Sequence, residues 1–314
     1  MFELPDSWLW DFWFADTGDE YHLFFLFASR ALHDEDRRHR RASIGHAVSS
    51  DLCNWRRLPD ALVRADAPAA DDVATWTGCT VRADDGTWRL FYTGTSDDPV
   101  VATQRVMVAA SDDLITWQKN CVPIVIADPR WYATGASGDD EPFRDPWVFR
   151  LDDGWHMLTT ARALEGPPTE SGVVGHAISD DLENWAVQPP VTESGAGFGQ
   201  LEVTQVFEFE GRWHLLFSCL RDEIDQRRQP GAGSGGVWLA AAEGPLGPFD
   251  IEGAVRLTDD SLYSGRVVPD HEGVLQFMAF ENVKNGAFVG RLADPAPFSQ
   301  VLSAVTMSKG VNDR

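Results

Sequence analysis

The chain has 314 residues, 43% hydrophobic and 24% charged, which is ordinary for a soluble globular protein. Acids outnumber bases 49 to 26, and a net charge of -23 disfavours nucleic acid, whose binding needs clustered Lys and Arg. No apolar run approaches the roughly 18 residues that span a bilayer, so no membrane partner is expected.

The acidic surface would repel anionic polymers, and a small neutral partner fits it better than an acidic one. The opening Met1-Phe2-Glu3-Leu4-Pro5-Asp6 carries an acid and a proline where a secretory leader needs a basic and then an apolar segment. A cytoplasmic location is expected, unless a leader has been removed. Cys53, Cys79, Cys121 and Cys219 lack zinc-ligand spacing and are expected as reduced, mostly buried thiols.

Along the chain two signatures alternate. The first is a short apolar strand: Tyr21 to Phe27, Trp88 to Gly94, Trp155 to Thr160, Trp213 to Ser218 and Leu275 to Phe280. The second is a strand running into a polar turn and a closing aromatic, as in Gly45-His46-Ala47-Val48-Ser49-Ser50-Asp51-Leu52-Cys53-Asn54-Trp55. It returns at Val108 to Trp117 and Gly175 to Trp185, and in degenerate form at Leu239 to Phe249 and Val289 to Phe298. Strands of the first kind begin at 21, 88, 155, 213 and 275, with gaps of 67, 67, 58 and 62 residues.

Asp85-Gly86, Asp153-Gly154, Glu210-Gly211 and Glu272-Gly273 precede four of these strands as hairpin turns. Ahead of each lies another strand candidate: Trp8 to Ala15, Trp76 to Arg82, Asp145 to Arg150, Glu202 to Phe209 and Tyr263 to Pro269. Each unit thus reads as a four-stranded antiparallel sheet. The fold expected is all-β, a single five-bladed β-propeller over 1–314. A β-sandwich is the alternative, but it leaves the period near 60 residues unexplained.

In a propeller the first strand of each blade lines the central channel, so its residues converge across blades. Asp11, Asp145 and Glu202 lie inside or open three of these strands, and Lys is absent from all five. In Phe143-Arg144-Asp145-Pro146 the proline, which cannot donate to a ladder, places Arg144 and Asp145 where a strand begins. Aromatic surroundings raise a carboxyl pKa, whereas Arg144 lowers that of a neighbour. Carboxyls pushed apart in this way suit glycoside hydrolysis, one protonated to assist the leaving oxygen and one ionised. The plainer alternatives are a buried structural acid at Asp11, an Arg144–Asp145 ion pair and a strand-edge Glu202.

These residues also carry a family resemblance. Trp10-Asp11 followed by Tyr21-His22-Leu23-Phe24-Phe25 is similar to the opening of glycoside hydrolase family 32, where a tryptophan-methionine-asparagine-aspartate-proline segment precedes a tyrosine-histidine-leucine-phenylalanine strand. Trp76-Thr77-Gly78-Cys79 resembles its aromatic-serine-glycine-serine segment. Arg144-Asp145-Pro146 matches its arginine-aspartate-proline triplet, and Leu201-Glu202-Val203-Thr204 resembles its glutamate-cysteine-proline segment. The chain therefore resembles the five-bladed propellers of families 32 and 68 (clan J), and more distantly family 43.

The resemblance implies catalytic roles for Asp11 as nucleophile, Glu202 as general acid/base and Asp145 as an acceptor holding sugar hydroxyls. It implies substrate contacts from Trp10, Trp76, Thr77 and Arg144. The reaction implied is retaining cleavage or transfer of terminal fructofuranosyl units from sucrose or fructo-oligosaccharides, with no cofactor and no metal. Trp10, Phe12 and Leu26 depart from the family pattern, as does Val203-Thr204, and the C-terminal β-sandwich usual in family 32 is not expected. The alternatives are an inverting, family 43-type arabinofuranosidase or xylosidase and a catalytically silent sugar-binding propeller. Two further stretches, the glycine-rich Gly231 to Gly236 and the acidic Asp139-Asp140-Glu141, read as loops without phosphate or metal function.

Overall fold

The structure is a computed structural model describing residues 1–97, 104–134, 142–228 and 233–312. The acidic run Asp139-Asp140-Glu141 and the first two residues of the glycine-rich stretch lie outside the described residues. Five four-stranded antiparallel sheets follow one another in sequence. Blade one is β1 (Ser7–Asp16), β2 (Tyr21–Ser29), β3 (Ser43–Ser49) and β4 (Arg56–Arg57). Blade two is β5 (Ala74–Arg82), β6 (Trp88–Thr95), β7 (Gln104–Ser111) and β8 (Gln118–Lys119). Blade three is β9 (Phe143–Leu151), β10 (Gly154–Arg162), β11 (Gly172–Ser179) and β12 (Ala186–Gln188). Blade four is β13 (Glu202–Phe209), β14 (Arg212–Cys219), β15 (Gly236–Ala242) and β16 (Val255–Arg256). Blade five is β17 (Leu262–Pro269), β18 (Leu275–Lys284), β19 (Ala287–Leu292) and β20 (Ala296–Pro297), the last pairing with β18 beside β19.

The first strands β1, β5, β9, β13 and β17 touch in a closed ring, which is the propeller expected from the period. Phe2 closes it further by exchanging backbone hydrogen bonds of 3.1 and 2.9 Å with Leu292 of blade five. No β-sandwich occurs among the described residues; helix α1 (Phe298–Asn312) follows the last blade, with Phe298 and Val301 packed against blades four and five. No helix among the described residues is long and apolar enough to cross a membrane.

The continuous apolar second strands follow from the packing. Successive side chains of a strand point to opposite faces, and each face of a blade meets a neighbouring blade. Leu23 faces blade five and Phe24 blade two; Leu90 and Phe91, Met157 and Leu158, Leu216 and Phe217, and Phe277 and Met278 divide between adjacent interfaces likewise. Strands buried on both faces lose the polar alternation of a one-sided sheet. The second signature is a repeated turn. Asp51 accepts from the backbone N–H groups of Cys53 and Asn54 at 2.9 and 2.7 Å, Leu52 takes the left-handed conformation, and Trp55 Nε1 donates to the Leu52 carbonyl at 3.1 Å. Asp113 and Asp181 build the same turn in blades two and three.

Two expectations need correction. Strand β9 begins at Phe143, so Pro146 lies within it, at a bulge where the ladder skips between Trp147 and Arg144. A bulge needs no donor from proline and admits it inside a strand. Of the four cysteines, all free, Cys79 and Cys219 are buried on strands while Cys53 and Cys121 are exposed, Cys53 on the turn between β3 and β4 and Cys121 on the connection that leaves β8 for the next blade.

Candidate active site

Every inner strand breaks register at the same level of the channel. The shifts fall between Trp10 and Phe12, Trp76 and Gly78, Arg144 and Trp147, Glu202 and Gln205, and Tyr263 and Arg266. Four of these bulges hold a non-glycine residue in the left-handed region: Asp11 (φ 29°), Asp145 (φ 57°), Val203 (φ 53°) and Ser264 (φ 49°). Such conformations cost about 1–3 kcal/mol each and cluster at functional sites. Here they re-aim side chains that plain pleating would point into blade interfaces.

The result is a cavity of about 310 Å³ at one mouth of the channel. All seven residues singled out from the sequence line it: Asp11, Asp145 and Glu202 from blades one, three and four, with Trp10, Trp76, Thr77 and Arg144. Asp11 accepts from Thr77 Oγ1 at 2.5 Å on one oxygen and from Ser264 Oγ on the other. The Thr77 hydroxyl is thus committed to Asp11. Asp145 accepts from Thr160 Oγ1 at 2.8 Å, and its backbone N–H donates to Thr93 Oγ1 at 2.9 Å. Glu202 accepts from Arg144 Nη2 at 2.5 Å and from the Tyr263 hydroxyl.

Burial pushes the Asp11 carboxyl above its ordinary range; the Ser264 and Thr77 hydroxyls oppose this, Glu202 adds to it, and Arg266 lowers it. Burial lifts Asp145 to about 7, against the pull of Arg144 and with help from Asp11 and Glu202. Burial alone would favour a neutral Arg144, but Glu202 and Asp145 outweigh it and hold the guanidinium firmly charged. Burial and then Glu202 raise the Tyr263 phenol, which stays a donor.

The remaining wall escaped sequence reasoning. A 3-10 segment, Glu35–Arg41, leaves blade one and straps over the mouth. Glu35 accepts from the Phe288 N–H at 3.3 Å in blade five, and the His39 carbonyl accepts from Trp76 Nε1 at 2.7 Å in blade two. The strap brings Arg38 and His39 to the cavity. Arg38 lies 3.9 Å from the Phe288 ring centre and 5.6 Å from that of buried Trp10, and its buried Nε makes no hydrogen bond among the described residues. His39 has exposed surface at the rim, yet crowding by the surrounding protein, with Arg38 and Arg144 beside it, keeps the ring neutral. The sequence signal was a run of four arginines and a histidine within five residues, 37 to 41, in a chain of net charge -23. Gln104, Tyr263 and Asn282 also line the cavity; a lone polar residue on a strand had marked none of them. Among the described residues no three His, Cys, Asp or Glu side chains cluster to hold a metal ion.

Such a cavity can hold a ring through aromatic and polar walls and bring two carboxyls, one with a tethered hydroxyl donor, to a bond inside it. A family model for the glycosyl hydrolases family 32 N-terminal domain matches residues 11–232. The chain is 31% identical over 192 residues to a sucrose-6-phosphate hydrolase of Bacillus subtilis, covering 58% of this chain and 36% of that one. It is 32% identical over 196 residues to an insoluble beta-fructofuranosidase isoenzyme of Arabidopsis thaliana, covering 60% and 32%. The chain thus spans about a third of the length of the curated relatives it matches. Among solved structures, an inulosucrase from Halalkalicoccus jeotgali bound to kestose superposes with a TM-score of 0.73 at 22% identity, over 91% of this chain and 79% of that one. A Bombyx mori family 32 beta-fructofuranosidase gives 0.71 at 20% identity, over 93% and 60%; at these identities the two support the fold alone. With the family model matching well over half of its length, the chain belongs to glycoside hydrolase family 32.

Proposed function

We propose that the chain cleaves or transfers terminal fructofuranosyl units of sucrose or short fructo-oligosaccharides with retention of configuration. The observation that carries this reading is the meeting of Asp11, Asp145 and Glu202 from three blades in one cavity, with Arg144 between two of them. In this reading Asp11, oriented by Thr77 and Ser264, attacks the anomeric carbon while Glu202 protonates the departing glycosidic oxygen. A fructosyl ester on Asp11 results. Glu202, now ionised, takes a proton from water or an acceptor hydroxyl, whose oxygen displaces Asp11 and completes hydrolysis or transfer. Asp145 and Arg144 hold the ring hydroxyls, and Trp10 and Trp76 wall the cavity.

The test is anomer-resolved NMR of a panel of sucrose, inulin, levan and arabinofuranosides with the wild type, Asp11→Asn and Glu202→Gln. Turnover of fructosides with retention, lost in both variants while thermal unfolding stays cooperative, is the expected result. Near-normal turnover in either variant would sink the assignment, and inversion on arabinofuranosides would favour the family 43-type reading.

A phosphorylated sucrose is the second reading. Arg38 favours it, a cation at the cavity whose Nε has no partner among the described residues of an acidic chain, and several relatives carry the name sucrose-6-phosphate hydrolase. Adding sucrose 6-phosphate to the panel decides between them. A charge-assisted hydrogen bond contributes about 1.5–3 kcal/mol, so Arg38→Met would lower kcat/KM for that substrate by about tenfold or more relative to sucrose. An unchanged ratio leaves the neutral sugar.

A further inference from the structure

Arg266 stands on β17 just past its bulge and is 1% exposed. Among the described residues its hydrogen bonds go to backbone carbonyls: Nε to Phe12 at 3.2 Å, Nη1 to Val203 at 2.8 Å and to Thr204 at 2.9 Å. Nη2 is buried and makes no hydrogen bond among the described residues, and the guanidinium lies 5.3 Å from the centre of the Trp147 ring. One side chain therefore bridges the inner strands of blades one, three, four and five. Keeping a cation out of water without a carboxylate in contact is costly, so its place among the inner strands of four blades calls for a compensating role.

Two features supply one. Phe12 directly follows Asp11, and Val203 directly follows Glu202, so the carbonyls that Arg266 grips belong to the two bulges that present the proposed nucleophile and acid/base. Its charge also acts on nearby carboxyls: Arg266 favours the ionised form of Asp11, less strongly than the Ser264 and Thr77 hydroxyls do, while Cys79, Asp11 and Asp145 in turn favour the charged guanidinium against burial.

We infer that Arg266 is a positioning residue of this site, setting the bulges that present Asp11 and Glu202 and adding a positive charge that favours the ionised form of Asp11. The inference takes the roles of Asp11 and Glu202 from the proposed function. The charged and titratable groups facing Asp11 are Glu202 from β13, Asp145 from β9, Tyr263 and Arg266 from β17, and Arg38 from the strap. Thr77 and Ser264 face it as neutral donors. Of the two cations, Arg266 bonds to the bulge itself, whereas Arg38 bonds to the Glu35 carbonyl.

The test is a carbon-13 NMR titration of the Asp11 carboxyl, assigned through Asp11→Asn, in the wild type and in Arg266→Met, Arg266→Gln and Arg266→Lys. An opposite charge favours the ionised form of a carboxyl. Arg266→Met and Arg266→Gln should therefore raise the Asp11 midpoint. Arg266→Lys, which keeps the charge and loses the fork, should stay near the wild type. The acidic limb of kcat/KM should shift in step, which a purely structural role would not produce. Should Arg266→Met fail to fold, Arg266→Gln, which keeps a donor near the place of Nε for the Phe12 carbonyl, carries the same reading. An unchanged midpoint in a folded neutral variant, or one raised as far by Arg266→Lys, overturns the inference. The titration needs no turnover, so an inactive wild type would count against the proposed function and leave this readout standing.

Discussion

Arg144 and Glu202, 58 positions apart in sequence, form an ion pair of 2.5 Å between blades three and four, while the adjacent Asp145 lies 3.4 Å from Arg144 Nε. The arginine therefore leans toward the neighbouring blade rather than toward its sequence neighbour. Gln104 Oε1 at 3.2 Å and Gln200 Oε1 accept further hydrogen bonds from it, so the fork is fixed from blades two, three and four. A planar guanidinium suits this role, because a lysine could not hold several acceptors in one geometry.

Removing Arg144 leaves the buried Asp145 and the part-buried Glu202 without their cation. Breaking a fully buried pair from one side costs about 3–5 kcal/mol, and Arg144→Ala should lower urea-denaturation stability toward the lower end of that range, because the pair keeps some contact with solvent. Arg144→Lys should recover part of the stability but little of kcat/KM, since the charge returns without the fork. Equal recovery of both would mean that only the charge at this position matters.

The Asp145 carboxyl makes stability depend on pH. In the folded chain it titrates at about 7, against an ordinary value of 3.8, chiefly because of burial. Between those values the native state holds a proton that the unfolded chain has lost. The stability this gives is fully present below pH 3.8, falls as pH rises, and is gone once pH has passed about 7. The slope in this window is at most ~1.4 kcal/mol per pH unit from one group. Asp145→Asn should flatten urea-denaturation stability across this window, and an unaltered pH dependence in the variant would exclude Asp145 as its source.

The fold was legible because its units repeat: five apolar strands at near-equal spacing, each preceded by a second strand, leave few architectures open. The three acids were legible for the same reason, since equal position in the unit implied one mouth. Ser264 and Arg266 were not, because the bulge at Tyr263–Arg266 breaks the two-residue alternation by which inward-facing residues are read. Arg38 and His39 lie on an irregular strap whose path is set by contacts in blades two and five, and no periodicity announces such contacts. Pro146 misled for a related reason, in that a proline admitted by a bulge looks in sequence like one that opens a strand.

Ser264 is the less obvious of the two donors that orient Asp11. It sits in the left-handed region, with its backbone N–H donating to Ser218 Oγ at 3.0 Å and its hydroxyl donating to Asp11. A hydrogen bond to an ionised partner contributes about 1.5–3 kcal/mol. Ser264→Ala should therefore lower kcat/KM about tenfold or more and move its acidic limb upward, because the lost donor favoured the ionised Asp11. Ser264→Thr, which keeps the hydroxyl, should restore the limb. An acidic limb unmoved by Ser264→Ala would show that Ser264 does not set the state of Asp11.

Gly78 tests whether the bulges themselves are obligatory. It follows Thr77 at the register break of β5, and a Cβ there would overlap the Phe91 carbonyl oxygen and crowd the Tyr92 Cα. Both obstacles are backbone of the paired strand β6, so no rotamer change relieves them. Single substitutions usually cost about 0.5–3 kcal/mol, and Gly78→Ala should fall at or beyond the upper end, because β5 must part from β6. The same displacement carries the Thr77 hydroxyl away from Asp11. Activity in the residual folded fraction should then drop together with stability, whereas Gly211→Ala, at a turn with open space around the Cβ, should cost stability through its positive φ and spare kcat. Urea denaturation and single-substrate kinetics on the two variants separate these outcomes, and full activity in folded Gly78→Ala would mean that Thr77 does not depend on the bulge for its reach.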